Sequence, residues 1–158
     1  MRRLQVGDSA PPFNVTSADS RPLSLGDFAR KVLILYFYPK ADTAGCTREA
    51  QDFSALKADF TSAGATIVGL SPDPVSAIAK FRDKYGLQIA LASDGDHAVA
   101  ERYGVWGEKS MYGRKFMGVE RSTFLIGRDG QIVRVWRKVR VEGHAAEVLT
   151  AAQNITAP

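Results

Sequence analysis

The sequence predicts an α/β protein: a central mixed β-sheet flanked by helices on both faces. Three observations carry this. Val32-Leu33-Ile34-Leu35-Tyr36-Phe37-Tyr38 and Ala65-Thr66-Ile67-Val68-Gly69-Leu70-Ser71 are apolar throughout and rich in β-branched and aromatic residues, as strands covered on both sides are. Stretches with helical spacing alternate with these runs, as in βαβ units. Two further runs flank Gly127-Arg128-Asp129-Gly130 and read as a hairpin with an Asp-Gly turn. The sheet is therefore expected to be parallel inside and antiparallel along one edge.

Taken in order, the segment around Ala10-Pro11-Pro12-Phe13 is extended, because two prolines remove N–H donors and push their neighbours away from helix. Ser24-Leu25-Gly26-Asp27-Phe28 reads as a turn or one short helical turn. After the first strand, Pro39 stops the run. Ala50, Phe53, Leu56, Phe60 and Ala63 then recur at three- and four-residue steps, which predicts one long amphipathic helix. Pro72-Asp73-Pro74 closes the second strand. The helix that follows carries Val75, Ile78, Ala79 and Phe81 on its apolar side and ends at Gly86, a residue suited to a C-terminal cap. Gln88-Ile89-Ala90-Leu91-Ala92 is a short strand, and Ser93-Asp94-Gly95-Asp96 is able to cap a helix from His97 to Tyr103. Residues 104–120 are glycine-rich and read as irregular. The hairpin comes next, and residues 141–154 form a last helix that packs through Ala146, Val148, Leu149 and Ala152.

Residues 1–158 are expected to form a single domain, long enough to bury a core without disulfides or metal. There is one cysteine, so an internal disulfide is excluded and a reducing compartment, the cytoplasm, is the expectation. No apolar run approaches a membrane span, and the start Met1-Arg2-Arg3 lacks the apolar stretch of a signal peptide. The net charge of +4 is modest and spread out: it permits a nucleic-acid partner without arguing for one, its plain meaning is solubility, and no such partner is expected.

The chemistry concentrates in Tyr38-Pro39-Lys40-Ala41-Asp42-Thr43-Ala44-Gly45-Cys46-Thr47-Arg48-Glu49-Ala50. Cys46 falls in or just before the first turn of a helix, where backbone N–H groups lack partners and the macrodipole favours a thiolate. Free cysteine titrates at about 8.5, and helix starts or nearby cations lower that to roughly 3.5–7.5. A thioredoxin-type site needs a second cysteine. A phosphate-binding cysteine loop needs glycines and an arginine immediately after the nucleophile, and a cysteine hydrolase needs a histidine base, for which only His97 and His144 are available. None fits well, which leaves a thiolate activated by backbone and cations and directed at a small electrophile.

Pro39-x-x-x-Thr43-x-x-Cys46 resembles the PxxxTxxC motif of peroxiredoxins. The wider stretches Gly69-Leu70-Ser71-Pro72-Asp73, Tyr103-Gly104-Val105-Trp106-Gly107-Glu108-Lys109 and Arg121-Ser122-Thr123-Phe124-Leu125-Ile126 resemble the bacterioferritin-comigratory-protein, or peroxiredoxin Q, subfamily, and keep their order along the chain. The resemblance implies a thioredoxin-like fold and a thiol-dependent peroxidase that reduces hydrogen peroxide and organic hydroperoxides. Cys46 would be the peroxidatic residue, Thr43 would place a hydroxyl bond within the site, Pro39 would shield it from water, and Arg121 would hold thiolate and peroxide. No metal, flavin or haem is implied, since displacement at an O–O bond moves two electrons without one. A monomer or weak homodimer is expected.

Two departures qualify the resemblance. Positions where relatives place a resolving cysteine hold Gln51 and Arg82, which implies a one-cysteine enzyme reduced by an external thiol: thioredoxin, glutaredoxin or a low-molecular-weight thiol. Ala44 stands where the subfamily commonly has proline, which leaves the helix start less rigid. Taken singly, the residues have plainer readings. A lone cysteine is more often a small buried hydrophobe, Arg121 an edge charge, and Thr43 a cap. Glu49 stays outside the core set, because a carboxylate in a helix's first turn is expected on dipole grounds alone. His97 and His144 read as surface or capping residues, Trp106 and Phe116 as loop packing, and the alternation from Val133 to Val141 as a strand with one wet face.

Overall fold

The computed structural model describes residues 3–155. Met1 and Arg2, on which the reading of the N-terminal stretch partly rests, lie outside the described residues, as do Thr156, Ala157 and Pro158. A seven-stranded sheet runs in the order β2 (Pro22–Ser24), β1 (Asn14–Ser17), β5 (Ala90–Ser93), β4 (Ala65–Ser71), β3 (Val32–Phe37), β8 (Ser122–Ile126), β9 (Ile132–Trp136), with a separate two-stranded sheet of β6 (Trp106–Met111) and β7 (Arg114–Val119). Its centre is the parallel trio β3 (Val32–Phe37), β4 (Ala65–Ser71) and β5 (Ala90–Ser93).

Antiparallel strands flank the trio on both sides, not on one edge as expected. β1 (Asn14–Ser17) and β2 (Pro22–Ser24) form a hairpin next to β5, while β8 (Ser122–Ile126) and β9 (Ile132–Trp136) continue from β3. The first hairpin escapes sequence reading because its strands are short and half-exposed, and the second opens on a proline. The hairpin expected around Gly127-Arg128-Asp129-Gly130 closes β8 onto β9 through a five-residue connection, residues 127–131, with Gly130 at φ 80° and a register shift beside it.

Every residue of β3 is buried because both of its faces are covered. Ile34, Tyr36 and Tyr38 face a core with Phe53, Phe60, Ile78, Phe81 and Val148. Leu33, Leu35 and Phe37 face a second core with Phe13, Leu70, Tyr103 and Phe124. Burial of each large side chain contributes about 1.5–3 kcal/mol. The first core lies under α1 (Ala44–Ala55), α2 (Lys57–Ser62), α3 (Val75–Tyr85) and α5 (His144–Gln153); the second lies under α4 (Ala98–Arg102) and the N-terminal segment.

The single long helix predicted after Cys46 is two helices. The chain breaks at Leu56, with φ −99° and ψ 7°, yet the apolar stripe passes through the break from Phe53 to Phe60, so periodicity alone does not reveal it. Residues 104–120 are not irregular either. They contain the antiparallel hairpin β6 (Trp106–Met111) and β7 (Arg114–Val119), turned by Tyr112 at φ 52° and Gly113 at φ 76°. Both central residues have positive φ, as a tight hairpin turn requires, but tyrosine is a rare occupant of that position. Gly86, in contrast, caps α3 in the left-handed conformation as expected, its N–H donating to the Arg82 carbonyl.

Candidate active site

The site grows from the end of β3. Tyr38 still donates its N–H to the Leu70 carbonyl at 3.0 Å, and half-buried Pro39 then ends the pairing. Thr43 is the N-cap of α1 with extended backbone, and its carbonyl accepts the Thr47 N–H at 2.8 Å. Its exposed hydroxyl donates backwards to the Lys40 carbonyl at 2.8 Å, which closes the loop. Cys46 is thus the third residue of α1, inside the first turn. It is 1% exposed, while Thr43, Ala44 and Gly45 before it face solvent.

Arg121 arrives from the strand next to β3. It occupies the short connection between β7 and β8, and the antiparallel register that pairs Phe37 with Ser122 sets it beside the end of β3. The Val139 N–H donates to its carbonyl at 3.0 Å. One guanidinium nitrogen, Nη2, donates to Cys46 Sγ at 3.3 Å, and the other, Nη1, donates to Glu49 Oε1 at 2.7 Å. Gly45 leaves room for this fork: a Cβ there would lie 3.2 Å from Nη2.

Glu49 is the residue that sequence reasoning left aside. It follows Cys46 by three positions, so both project from one face of α1. It is 1% exposed, and its Oε2 has no hydrogen-bond partner among the described residues. Burial pushes its carboxyl up to about 7 against the opposing pull of Arg121. Burial works against the charge on Arg121, but Glu49 and Cys46 outweigh it and raise the guanidinium's pKa further. The signal that could have identified Glu49 is its i+3 spacing from the cysteine together with a distant arginine in need of a counter-charge.

The wall behind the sulfur is aromatic. Tyr36 stacks on Phe53 at 4.8 Å and lies 5.6 Å from Tyr38, and burial raises both phenols well above their ordinary range. Tyr36 fits because its strand partner is Gly69, where a Cβ would come within 2.6 Å of the ring.

Cys46 and Arg121 are therefore brought together, Pro39 and Thr43 border them along the loop, and Glu49 joins. The histidines divide. His97 stacks in parallel on Trp106 at 3.9 Å, away from this cluster, and Phe116 is 43% exposed on the β6-β7 hairpin. His144 corrects the expectation of a surface residue. It is buried at the start of α5, with Nε2 2.8 Å from the Thr123 hydroxyl and its ring edge-on to Phe53 and Trp136. Burial drives its pKa down to about 4, so it is neutral at neutral pH. Gln51 is exposed, and Arg82 is ion-paired with Asp19 at 2.6 Å and Asp83 at 3.0 Å. Among the described residues no group of three or more His, Cys, Asp or Glu side chains is placed to hold a metal ion, and no helix is long and apolar enough to cross a membrane.

Comparison with known proteins gives a consistent result. The model of the AhpC/TSA family matches residues 6–135. A putative peroxiredoxin bcp of Coxiella burnetii is 46% identical over 146 residues, covering 92% of this chain and 97% of that one. Peroxiredoxin Bcp of Bacillus subtilis is 39% identical over 153 residues, covering 97% and 98%. Among solved structures, a bacterioferritin comigratory protein of Xanthomonas campestris, described for its alkyl peroxide reduction activity, superposes with a TM-score of 0.87 at 41% identity over 95% of this chain and 96% of that one.

Proposed function

Because this chain belongs to the AhpC/TSA family and is a peroxiredoxin of the Bcp type, a thiol peroxidase, we propose that Cys46 is the residue that attacks the peroxide and that Arg121, Thr43 and Pro39 complete its site. The observation that carries this reading is the forked contact of Arg121 with Cys46 Sγ at 3.3 Å and Glu49 at 2.7 Å. A guanidinium cannot lose its charge under these conditions, and its fixed donors stabilise negative charge on sulfur and on the oxygens as it redistributes.

In the reaction the Cys46 thiolate forms an S–O bond to one peroxide oxygen while the O–O bond breaks. The departing oxygen takes a proton and leaves as water or an alcohol, and Cys46 becomes a sulfenic acid. The N–H groups in the first turn of α1 lack intrahelical acceptors and open toward solvent beside Ala44 and Gly45, ready to bind a peroxide oxygen. The Thr43 hydroxyl spends its proton on Lys40, so toward a substrate it accepts, which suits the O–H of a hydroperoxide. Pro39 covers the end of β3, where a free N–H would draw water.

Hydrogen peroxide and organic hydroperoxides are the substrates of this reading. Since the sequence holds one cysteine, the sulfenic acid is resolved by an external thiol of the thioredoxin, glutaredoxin or low-molecular-weight type, in a reducing compartment such as the cytoplasm. Packing of α5 against α1 and α2 supports one domain. Thiol-dependent peroxide consumption, compared between the protein and Cys46→Ser, tests the proposal. Loss of activity in the variant is expected, and equal rates would overturn it.

A further inference from the structure

Asp42 has left-handed backbone, φ 63°, immediately before the cap residue Thr43. That conformation is unfavourable for residues other than glycine, although Asp and Asn tolerate it best. Something must hold it, and the holding element is α3. The Tyr85 hydroxyl donates to Asp42 Oδ1 at 2.6 Å, and Lys84 Nζ donates to Oδ2 at 2.9 Å. One residue earlier, the Ala41 N–H donates to Asp73 Oδ2 at 2.7 Å, and Ser71 Oγ donates to the same oxygen at 2.8 Å.

The anchor is itself fixed. The Tyr85 ring meets Phe81 edge-on at 5.7 Å, Phe81 is buried against Tyr38, and the Gln88 N–H just beyond α3 donates to Ser54 of α1 at 2.7 Å. None of these contacts reaches the sulfur. They decide where α1 begins, and Cys46 lies in its first turn, so a small rotation there changes the 3.3 Å approach of Arg121 to Sγ.

The two halves of the cycle make opposite demands on that turn. A peroxide is small and reacts with a sulfur that is 1% exposed, provided the turn is in place. A thiol has to bring its own sulfur, with the molecule behind it, onto Sγ: Cys46–SOH and RSH give Cys46–S–S–R and water, and a second RSH then releases the Cys46 thiol and RSSR. For a large thiol the turn has to swing outward. Resting on the reading of Cys46 as the peroxidatic residue, we propose that Asp42, Tyr85 and Lys84 form a latch between the loop before α1 and the end of α3. As positioning residues they hold the peroxide-reactive geometry and limit the rate at which the sulfenic acid meets an external protein thiol.

Tyr85→Phe keeps the ring and removes one donor. Asp42→Gly keeps the backbone angle at no steric cost and removes the carboxylate, while Asp42→Asn keeps the angle and one acceptor. Stopped-flow fluorescence from Trp106 and Trp136 follows sulfenic acid formation with hydrogen peroxide, and then reduction of the preformed sulfenic acid by thioredoxin or by 2-mercaptoethanol. In Tyr85→Phe and Asp42→Gly, peroxide reaction is expected to slow by about 3–10-fold and reduction by thioredoxin to quicken by a similar factor. Asp42→Asn should fall between, and 2-mercaptoethanol should change least. A generally loosened structure would slow both steps, and that outcome, or no change in either, overturns the latch. A wild-type protein that consumed no peroxide would instead overturn the reading of Cys46, and the latch with it.

Discussion

Glu49 and Arg121 are separated by 72 positions in the chain, yet their side chains meet at 2.7 Å with the carboxylate 1% exposed. The pair aims the guanidinium. With Nη1 held by Glu49, Nη2 has only a narrow range of directions, and Cys46 Sγ lies along it.

Glu49→Gln keeps the shape of the side chain but leaves the fork without its counter-charge. Peroxide reactivity, read as kcat/KM, is expected to fall by about 10-fold or more. The substitution also removes a titration. The native carboxyl titrates at about 7, above its ordinary 4.5, so its contribution to stability is complete below pH 4.5 and is lost as pH rises to 7. The loss is on the order of 1–3 kcal/mol, and urea denaturation of Glu49→Gln should not show it.

His144 acts with the opposite sign. Its native pKa of about 4 lies below its ordinary 6.5, so the buried neutral ring contributes stability above pH 6.5 that is lost as pH falls to 4. His144→Gln should remove a dependence on the order of 1–3 kcal/mol. The wild-type curve is the partial cancellation of the two, so the single variants should tilt in opposite directions between pH 4.5 and 6.5. Parallel urea midpoints would refute the assignment.

Gly45→Ala separates stability from activity. Alanine is favoured over glycine in a helix by up to about 1 kcal/mol, so the melting temperature should hold or rise. The new Cβ would sit 3.2 Å from Arg121 Nη2 and must push the guanidinium aside. A several-fold drop in peroxide reactivity, roughly 3–10-fold, is expected from a shift of a few tenths of an ångström.

Ala44→Pro should stabilise. Position 44 opens α1, where a proline's missing N–H costs nothing, and Thr43 before it already has φ −94° and ψ 159°, as a residue preceding proline prefers. A gain of about 0.4–1 kcal/mol, or roughly 1–4 °C in melting temperature, is expected. A lower melting temperature would show that the first turn is not preset for proline.

How much of this was legible depended on the range of the interactions. β3, β4, the start of α1, α3 with its Gly86 cap and the β8-β9 hairpin all announce themselves through local periodicity and breakers. The break at Leu56 does not, because the core stripe runs through it. The β6-β7 hairpin turns on Tyr112, a residue without turn preference, and Met111, Phe116 and Met117 stay exposed, so no alternation marks its strands. At the candidate site, Cys46, Arg121, Thr43 and Pro39 were named from a resemblance that spans the chain, and the structure brings Arg121 onto Cys46. Glu49 and His144 were not, because their partners, Arg121 and Thr123, come from the start of β8, which only the fold brings near.

The register of β3 against β8 has a consequence for the order of events during synthesis. Cys46 leaves the ribosome 75 residues ahead of the arginine it touches, a lead of roughly 4–15 s at typical elongation rates. Throughout that interval the thiol belongs to an incomplete sheet and lacks the Arg121 guanidinium. On the roles proposed for Cys46 and Arg121, peroxide reactivity would therefore wait for β8 to dock and would report a finished fold.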